Sequence, residues 1–261
     1  MATYVMSDLH GCYDEFREML KKISFCDDDR LIVAGDYVDR GTQSYELLRF
    51  MLDHPANMTL LLGNHDEEFA AYVDLMAVID AKENLQTDCN DHDDMEALFE
   101  TTEYFFRTNR LPASMFFDYY GTVSELSFRQ HVTFGDFLEW RDRIRKMPLY
   151  EKLEVNGRQV VVVHAGYREG LSKEDLKEFC LYARKTAYKN GGIPHGMVVA
   201  GHTPTIAEGE FTFTGGKVFR HYDGEQDCIF YDIDCGCVFR KRYGGAALAC
   251  IRLEDEAIFY V

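Results

Sequence analysis

The chain has 261 residues, 46% of them hydrophobic and 28% charged, with 45 acidic against 28 basic residues and a formal net charge of −17. A globular fold of this size buries roughly 70–75% of its unfolded surface and needs no covalent staples. The acidic excess argues against a nucleic-acid backbone as main partner, because phosphate contacts need clustered Lys and Arg. No apolar run approaches the ~20 residues of a membrane span. A phosphorylated substrate stays open, since metal ions can supply positive charge locally.

Met1-Ala2-Thr3 leads straight into the strand-like Tyr4-Val5-Met6, with no signal-peptide pattern. A cytoplasmic location is expected, and the eight cysteines read as reduced thiols, most of them small core residues. Cys235-Gly236-Cys237 lacks the second pair that a zinc ribbon requires.

The first strand ends in Ser7-Asp8-Leu9-His10-Gly11-Cys12. Phe16, Met19, Leu20 and Ile23 then predict a helix over 13–22. Leu31-Ile32-Val33 reads as a buried strand that delivers Ala34-Gly35-Asp36-Tyr37-Val38-Asp39-Arg40-Gly41 to a turn at its C-terminal end. A helix over 44–53 with Leu47, Leu48 and Met51 inward is followed by a strand over 58–62, which ends in Gly63-Asn64-His65-Asp66.

From about 67 to 146 the pattern is helical, without a convincing strand. One helix is predicted over 67–82, with Phe69, Tyr72, Val73, Met76 and Ile79 on one face. The acidic stretch 88–103 reads as a solvated face or loop. A further helix over 134–146 carries the one tryptophan, Trp140. Strands resume afterwards and no Pro/Gly/Ser-rich linker flanks the region, so it is expected to be a helical insertion in a single domain spanning 1–261.

Val160 to Val163 is the clearest strand, and it delivers His164-Ala165-Gly166. Ser172 is the expected N-cap of a helix to about Tyr188, with Asp175 at the capping-box position. Met197 to Ala200 delivers Gly201-His202-Thr203-Pro204, and the remaining strands are expected over 217–219, 229–233, 246–253 and 258–261.

Asp8, His10, Asp36, Asn64, His65, His164 and His202 thus all follow apolar strands. Taken singly, each histidine is more often a satisfied structural residue than a ligand. Four His, two Asp and one Asn at strand ends along one sheet edge can instead share a site. Mixed imidazole, carboxylate and amide ligands suit Mn, Fe or Zn. Two such ions need a bridging carboxylate, and a water positioned between them becomes hydroxide near neutral pH.

These clusters resemble the signature blocks of the PPP family of metallophosphoesterases, which includes serine/threonine protein phosphatases and symmetrical diadenosine tetraphosphatases. The family blocks Gly-Asp-x-His-Gly, Gly-Asp-x-Val-Asp-Arg-Gly, Gly-Asn-His-Glu, His-Ala-Gly and Gly-His-Thr stand here as Ser7 to Gly11, Gly35 to Gly41, Gly63 to Asp66, His164 to Gly166 and Gly201 to Thr203. The resemblance runs from residue 4 to about 253, apart from the helical segment. It implies an α/β fold, a calcineurin-like metallophosphoesterase β-sandwich of mixed sheets flanked by helices, with metals at the loops of one edge.

By position, the resemblance implies that Asp8, His10 and Asp36 hold a first metal. Asp36 would bridge to a second, completed by Asn64, His164 and His202. His65 would protonate the leaving oxygen, Asp39 would orient His65, and Arg40 would grip the phosphoryl group. A second phosphate arginine, in a helix after the His-Ala-Gly block, would be Arg184 of Leu181-Tyr182-Ala183-Arg184, with Tyr in place of the family's Trp. The implied cofactors are two divalent ions, manganese first, with iron or zinc as alternatives.

Three departures from the family pattern matter. Ser7 replaces a glycine, Asp66 replaces a glutamate, and Ile233-Asp234-Cys235-Gly236 is followed by a longer basic hairpin before Gly244-Gly245. The hairpin could border the substrate; a charged edge is the favoured reading.

The function ranked first is a dinuclear metal-dependent phosphomonoesterase, a protein phosphatase acting on Ser/Thr and also Tyr phosphate through in-line attack of a metal-bound hydroxide. The alternative is hydrolysis of diadenosine tetraphosphate or a related dinucleoside polyphosphate. The expected partner is a phosphorylated protein or peptide or a small phosphoester, with neither nucleic acid nor membrane. A catalytically silent binding module should have lost a ligand or the general acid, and none is missing. A nuclease is disfavoured by charge and by the Asp39-Arg40 pairing.

Overall fold

The computed structural model describes residues 1–109, 119–129 and 131–261. Three short strands, β1 (Thr3–Met6), β2 (Arg30–Val33) and β3 (Met58–Leu60), lie parallel and adjacent. Their crossovers are α1 (Tyr13–Lys22), which buries Phe16 and Met19, and α2 (Ser44–Leu52), which buries Leu47, Leu48 and Met51. Four helices then separate β3 from the next strand: α3 (Asn64–Glu83), α4 (His92–Asn109), α5 (Tyr119–Ser127) and α6 (Phe134–Ile144).

A second sheet holds β4 (Tyr150–Val155), β5 (Arg158–Val163), β6 (Met197–Ala200), β7 (Phe219–Asp223) and β8 (Cys228–Asp232) in the order β4-β5-β6-β8-β7, with β5, β6 and β8 parallel. Helices α7 (Lys173–Tyr182) and α8 (Lys185–Lys189) connect β5 to β6. The closing hairpin, β9 (Ala249–Arg252) and β10 (Ala257–Tyr260), returns to the first sheet beside β1.

The two sheets face one another. Val5, Ile32 and Leu61 from one side meet Val160, Val162, Val199 and Ile229 from the other. The alternate residues Val161, Val163 and Val198 pack with Cys180 and Ala187 of the α7–α8 segment. Two-sided burial explains why the central strands read as continuous apolar runs rather than alternating ones. The architecture is the expected β-sandwich of mixed sheets flanked by helices.

Several local expectations shift. The helix after β3 starts at Asn64 rather than Glu67, because the Asp66 carboxylate accepts the Gly63 N–H (3.0 Å) and caps that turn. The acidic stretch 88–103 is mostly helix, not loop. Asp93 and Asp94 sit in the first turn of α4, where the helix dipole favours them, and Met95, Leu98, Phe99 and Thr102 are buried. The helix capped by Ser172 breaks at Ala183–Arg184, both non-helical, before α8 resumes. Strand β4 was not anticipated: it is a half-exposed edge strand that mixes Glu and Lys with Leu and Val. β7 begins at Phe219, where the expectation over 217–219 ends. Among the described residues of 67–146 there is no strand; positions 110–118 and 130 of that expectation lie outside the described residues.

Candidate active site

The C-terminal ends of six parallel strands deliver the polar residues: β1 gives Asp8 and His10, β2 gives Asp36, Asp39 and Arg40, β3 gives Asn64 and His65, β5 gives His164, β6 gives His202 and β8 gives Asp234. Asp8, His10, Asp36, Asp39, Asn64, His65, His164 and Asp234 are buried. The turns are tight enough to force unusual backbone. Asp8, His10, Asp36, Asp39, Arg40 and His202 have φ of 52°, 39°, 58°, 70°, 69° and 73°, the left-handed region that costs non-glycine residues of order 1 kcal/mol or more each. At Gly35 (φ 84°) a Cβ would stand 2.5 Å from the Gly63 Cα, so the turns after β2 and β3 touch backbone to backbone. Asp66 clamps them together. Its Oδ2 accepts the N–H groups of Asp36 (2.8 Å) and Gly63 (3.0 Å), and its Oδ1 that of Tyr37 (2.9 Å). The shorter acid in place of glutamate therefore supports this turn.

The hydrogen bonds set which ring nitrogens face the site. His10 Nδ1 donates to the Val38 carbonyl (2.8 Å) and His164 Nδ1 to the Ala34 carbonyl (2.9 Å), which leaves both Nε2 atoms as bare acceptors in the neutral rings. Burial lowers the pKa of His10, His164 and His202, which favours the neutral ring in each. His164 Nε2 lies 2.9 Å from Asn64 Oδ1 and 3.1 Å from His202 Nδ1, and His202 Nδ1 is also 2.9 Å from Asn64 Oδ1. Asp36 Oδ2 stands between the two sets, 3.4 Å from His10 Nε2 and 3.5 Å from His164 Nε2.

Two groupings of donor atoms within 4.8 Å follow, His10-Asp36-His65 and Asp36-His164-His202. The first contains His65 where the sequence places Asp8. The Asp8 carboxylate accepts the His202 N–H at 3.0 Å, so it borders the same space. Lone pairs converge here with too few protons to share. Burial and mutual repulsion push the Asp8 and Asp36 carboxyls up to about 6, and Asp232 and Asp234 well above the usual carboxylate range. That donor set, oxygen and imidazole nitrogen with net negative charge, fits divalent cations.

His65 has a different setting. Its Nδ1 donates to Asp39 Oδ2 at 2.8 Å, and its Nε2 meets Arg40 Nη2 at 2.7 Å. Burial alone would lower its pKa, but the Asp36 and Asp39 carboxylates override that and raise it to about 9. Arg40 also reaches His10 Nε2 through Nη1 at 2.8 Å. Asp39 is itself anchored by the Thr122 hydroxyl of α5, which accepts its N–H at 3.0 Å.

A cleft of about 510 Å³ opens over these groups, lined by Asp36, Arg40, Asn64, His65 and His202 and walled by Glu68, Tyr182, Arg184, Glu210 and Phe239. Arg184 therefore reaches the site, though from the break between α7 and α8 rather than from a helix. It pairs with Glu210 at 2.9 Å. Tyr182 donates to Glu68 Oε1 at 2.8 Å, and burial lifts the Glu68 carboxyl to about 6. The segment expected as a basic hairpin is instead a 3-10 turn over Cys237–Phe239 followed by turns, joined by an isolated parallel bridge between Gly236 and Ala247. Phe239 borders the cleft and Arg240 pairs with Glu15, so the segment is only partly a charged edge. Tyr182, Glu210 and Phe239 carry no distinguishing sequence signal as wall residues. Glu68 alone had one, lying a helical turn beyond His65. Asp234 stood within a strand-end block and could have been grouped with the others.

Residues 1–206 match the calcineurin-like phosphoesterase family profile. A stretch of 89 residues is 44% identical to the symmetrical bis(5'-nucleosyl)-tetraphosphatase of Actinobacillus pleuropneumoniae serotype 5b (strain L20), covering 34% of this chain and 32% of that protein. The match thus spans about a third of the relative's length. A metallophosphoesterase from Sphaerobacter thermophilus superposes with a TM-score of 0.53 at 14% identity, covering 100% of this chain and 88% of that one. A serine/threonine phosphatase from Saccharomyces cerevisiae gives 0.50 at 14% identity, covering 97% and 72%. At such identities the structural likeness concerns the fold alone.

Proposed function

The chain belongs to the calcineurin-like phosphoesterase family, and from that premise we propose that it hydrolyses dinucleoside polyphosphates at a site holding two divalent cations. The observation that carries the reaction is Asp36 Oδ2 standing between two histidine sets, 3.4 Å and 3.5 Å away, beside the His65–Asp39 pair and Arg40. Asp8, His10 and Asp36 would hold one cation, and Asp36, Asn64, His164 and His202 the other. When bound, the cations polarise the phosphoryl group and supply a nucleophile at neutral pH.

This chain's own groups do the rest. Arg40, now shared between His10 and His65, turns its donors to the phosphoryl oxygens and frees His65 Nε2 to carry a proton. Asp39 holds the ring by its other nitrogen and stabilises the cationic form. As the bond from phosphorus to the bridging oxygen breaks, that proton passes from Nε2 to the leaving oxygen. Arg184, which also lines the cleft, exchanges Glu210 for a further phosphate.

The dinucleotide reading draws on the symmetrical bis(5'-nucleosyl)-tetraphosphatase that is 44% identical over 89 residues, and on a cleft lined by the two arginines Arg40 and Arg184 and the aromatic rings of Tyr182 and Phe239. The Ser/Thr phosphatase reading keeps one observation in its favour. Glu68 and Glu210 line the cleft of a chain with net charge −17, which suits a phosphopeptide with basic flanks better than a polyanion.

The deciding experiment supplies Mn²⁺ and compares symmetrical diadenosine tetraphosphate with a phosphoserine, phosphothreonine and phosphotyrosine peptide panel. The expected result is a higher kcat/KM on the dinucleotide, releasing nucleoside diphosphate. Higher kcat/KM on the peptides reverses the substrate assignment. No turnover of either, nor of nitrophenyl phosphate, overturns the catalytic reading.

A further inference from the structure

Two thiols meet beside the site without a part in the proposed reaction. Cys12 follows His10 by two positions and directly precedes α1, and Cys237 opens the 3-10 turn Cys237–Phe239, three residues after Asp234. Their Sγ atoms and a carboxylate oxygen of Glu15 all lie within 4.8 Å of one another. Cys12 is 6% exposed and Cys237 2%, both within the main hydrophobic cluster together with Leu248 and Cys250. All eight cysteines are free thiols.

Arg240 completes the cluster, with Nη1 at 3.7 Å from Cys237 Sγ and Nη2 paired to Glu15. Because a guanidinium already balances the Glu15 carboxylate, the group suits a dithiol better than a further cation. The pair also bridges the architecture. Cys12 lies on the turn after β1 in one sheet, and Cys237 follows β8 in the other.

We propose that Cys12 and Cys237 form a reversible disulfide that staples these two turns together and lowers phosphohydrolase activity. The oxidant is hydrogen peroxide, small enough to reach buried sulfur. One sulfur attacks the peroxide, the O–O bond breaks, and a sulfenic acid and one water form. The second thiol then displaces the sulfenic oxygen as a second water, so two thiols lose two electrons and two protons while the peroxide is reduced to water. Bonding requires the sulfurs to close to ~2.05 Å, which draws the turns together. The turn after β1 carries His10, whose ring is oriented by the Val38 carbonyl, and whose displacement loosens the donor set around Asp36.

The test uses the full-length, fully reduced protein loaded with Mn²⁺. It is treated with hydrogen peroxide, alkylated, and mapped by peptide mass spectrometry without reduction. The expected product is a cross-linked peptide pair containing residues 12 and 237, lighter than the two reduced peptides by two hydrogens. Turnover of nitrophenyl phosphate should fall by about tenfold and return with dithiothreitol. Cys12→Ala and Cys237→Ala should each keep basal turnover and lose the dithiothreitol-reversible inhibition. Both residues still alkylatable after peroxide overturns the proposal, as does equal reversible inhibition in wild type and both variants. The peptide map of the wild-type protein decides the matter even where a variant folds poorly.

Discussion

The edge where the parallel strands end and the helical layer between β3 and β4 are built on opposite terms. At the edge, carboxylates of Asp8, Asp36, Asp66, Asp232 and Asp234 are buried, and six non-glycine residues hold left-handed backbone. In the helical layer the buried side chains are chiefly apolar: Trp140 packs edge-on against Phe137, and Phe137 stacks on Phe69 with ring centroids 5.9 Å apart. Among the described residues from Phe69 to Ile144, the buried polar residues are Thr102, Thr122 and Ser127, beside the buried indole N–H of Trp140. Each of these hydroxyls costs little when bonded to a carbonyl one helical turn back, as Thr102 and Ser127 are. The contrast teaches that the layer stabilises the chain while the edge spends stability on geometry. Thr122 joins the two, since it is the layer's contact to the Asp39 backbone.

The strongest way to separate the regions is to remove metal. Exhaustive chelation should abolish turnover while the helical layer keeps its far-UV circular dichroism, and Mn²⁺ should restore activity. Full turnover with metal absent by elemental analysis would break the assignment of the edge. The chelated protein should also lose stability as pH rises from about 4 to 6. Asp8, Asp36 and Glu68 have folded pKa values raised to about 6 and Asp66 to about 7, with Asp232 and Asp234 also raised well above 3.8. These six carboxyls bind more protons when folded across that window, and they outnumber the opposite contribution of His10, His164 and His202, whose pKa values are lowered. Denaturation midpoints that rise with pH over this range would contradict the repulsion inferred there.

His65→Asn comes next. A general acid contributes ~10²–10⁴ in rate, and it matters most where the leaving oxygen is a poor one. The loss should approach that range on phosphoserine peptides and be much smaller on nitrophenyl phosphate. Equal losses on the two, or a drop in bound metal, would move His65 to coordination, as its proximity to His10 and Asp36 allows.

Trp140→Ala should cost ~3–5 kcal/mol of stability, the usual penalty for deleting a buried tryptophan, yet leave turnover per folded molecule near wild type. Denaturant titration and activity at matched folded fraction measure the two sides. A specific activity that collapses along with stability would show the regions to be coupled through α5 and Thr122.

Asp36→Asn should lower metal content per chain more than Asp8→Asn, because only Asp36 lies within 3.5 Å of a histidine in each set. Equal losses under identical purification would remove the bridging role. The smallest effect is expected at the cleft wall. Glu210→Gln frees Arg184 and should lower KM for a polyphosphate substrate a few-fold, with kcat little changed. A raised KM would make Glu210 a substrate contact.

The sequence by itself determined where the site lies in the chain. Each residue of the strand-end clusters follows a short apolar run, and because both faces of such a strand are covered its signal is continuous and can be read without knowledge of partners. Clusters at 8–10, 36–40, 64–65, 164 and 202 could therefore be set side by side before any contact was known.

What required the tertiary structure was every feature fixed by residues distant in the chain. α4 reads as a charged loop until the packing of Met95, Leu98 and Phe99 shows one apolar face. β4 is a strand only because β5 pairs with it. Arg184 meets its cleft through a helix break, and Asp66 becomes a clamp only once the turn after β2 lies over its carboxylate. Cys12 and Cys237 come together only when strands of two different sheets end at the same edge. Local propensity carries the elements, but contacts between remote positions arise from burial of shared surface, which no window of sequence contains.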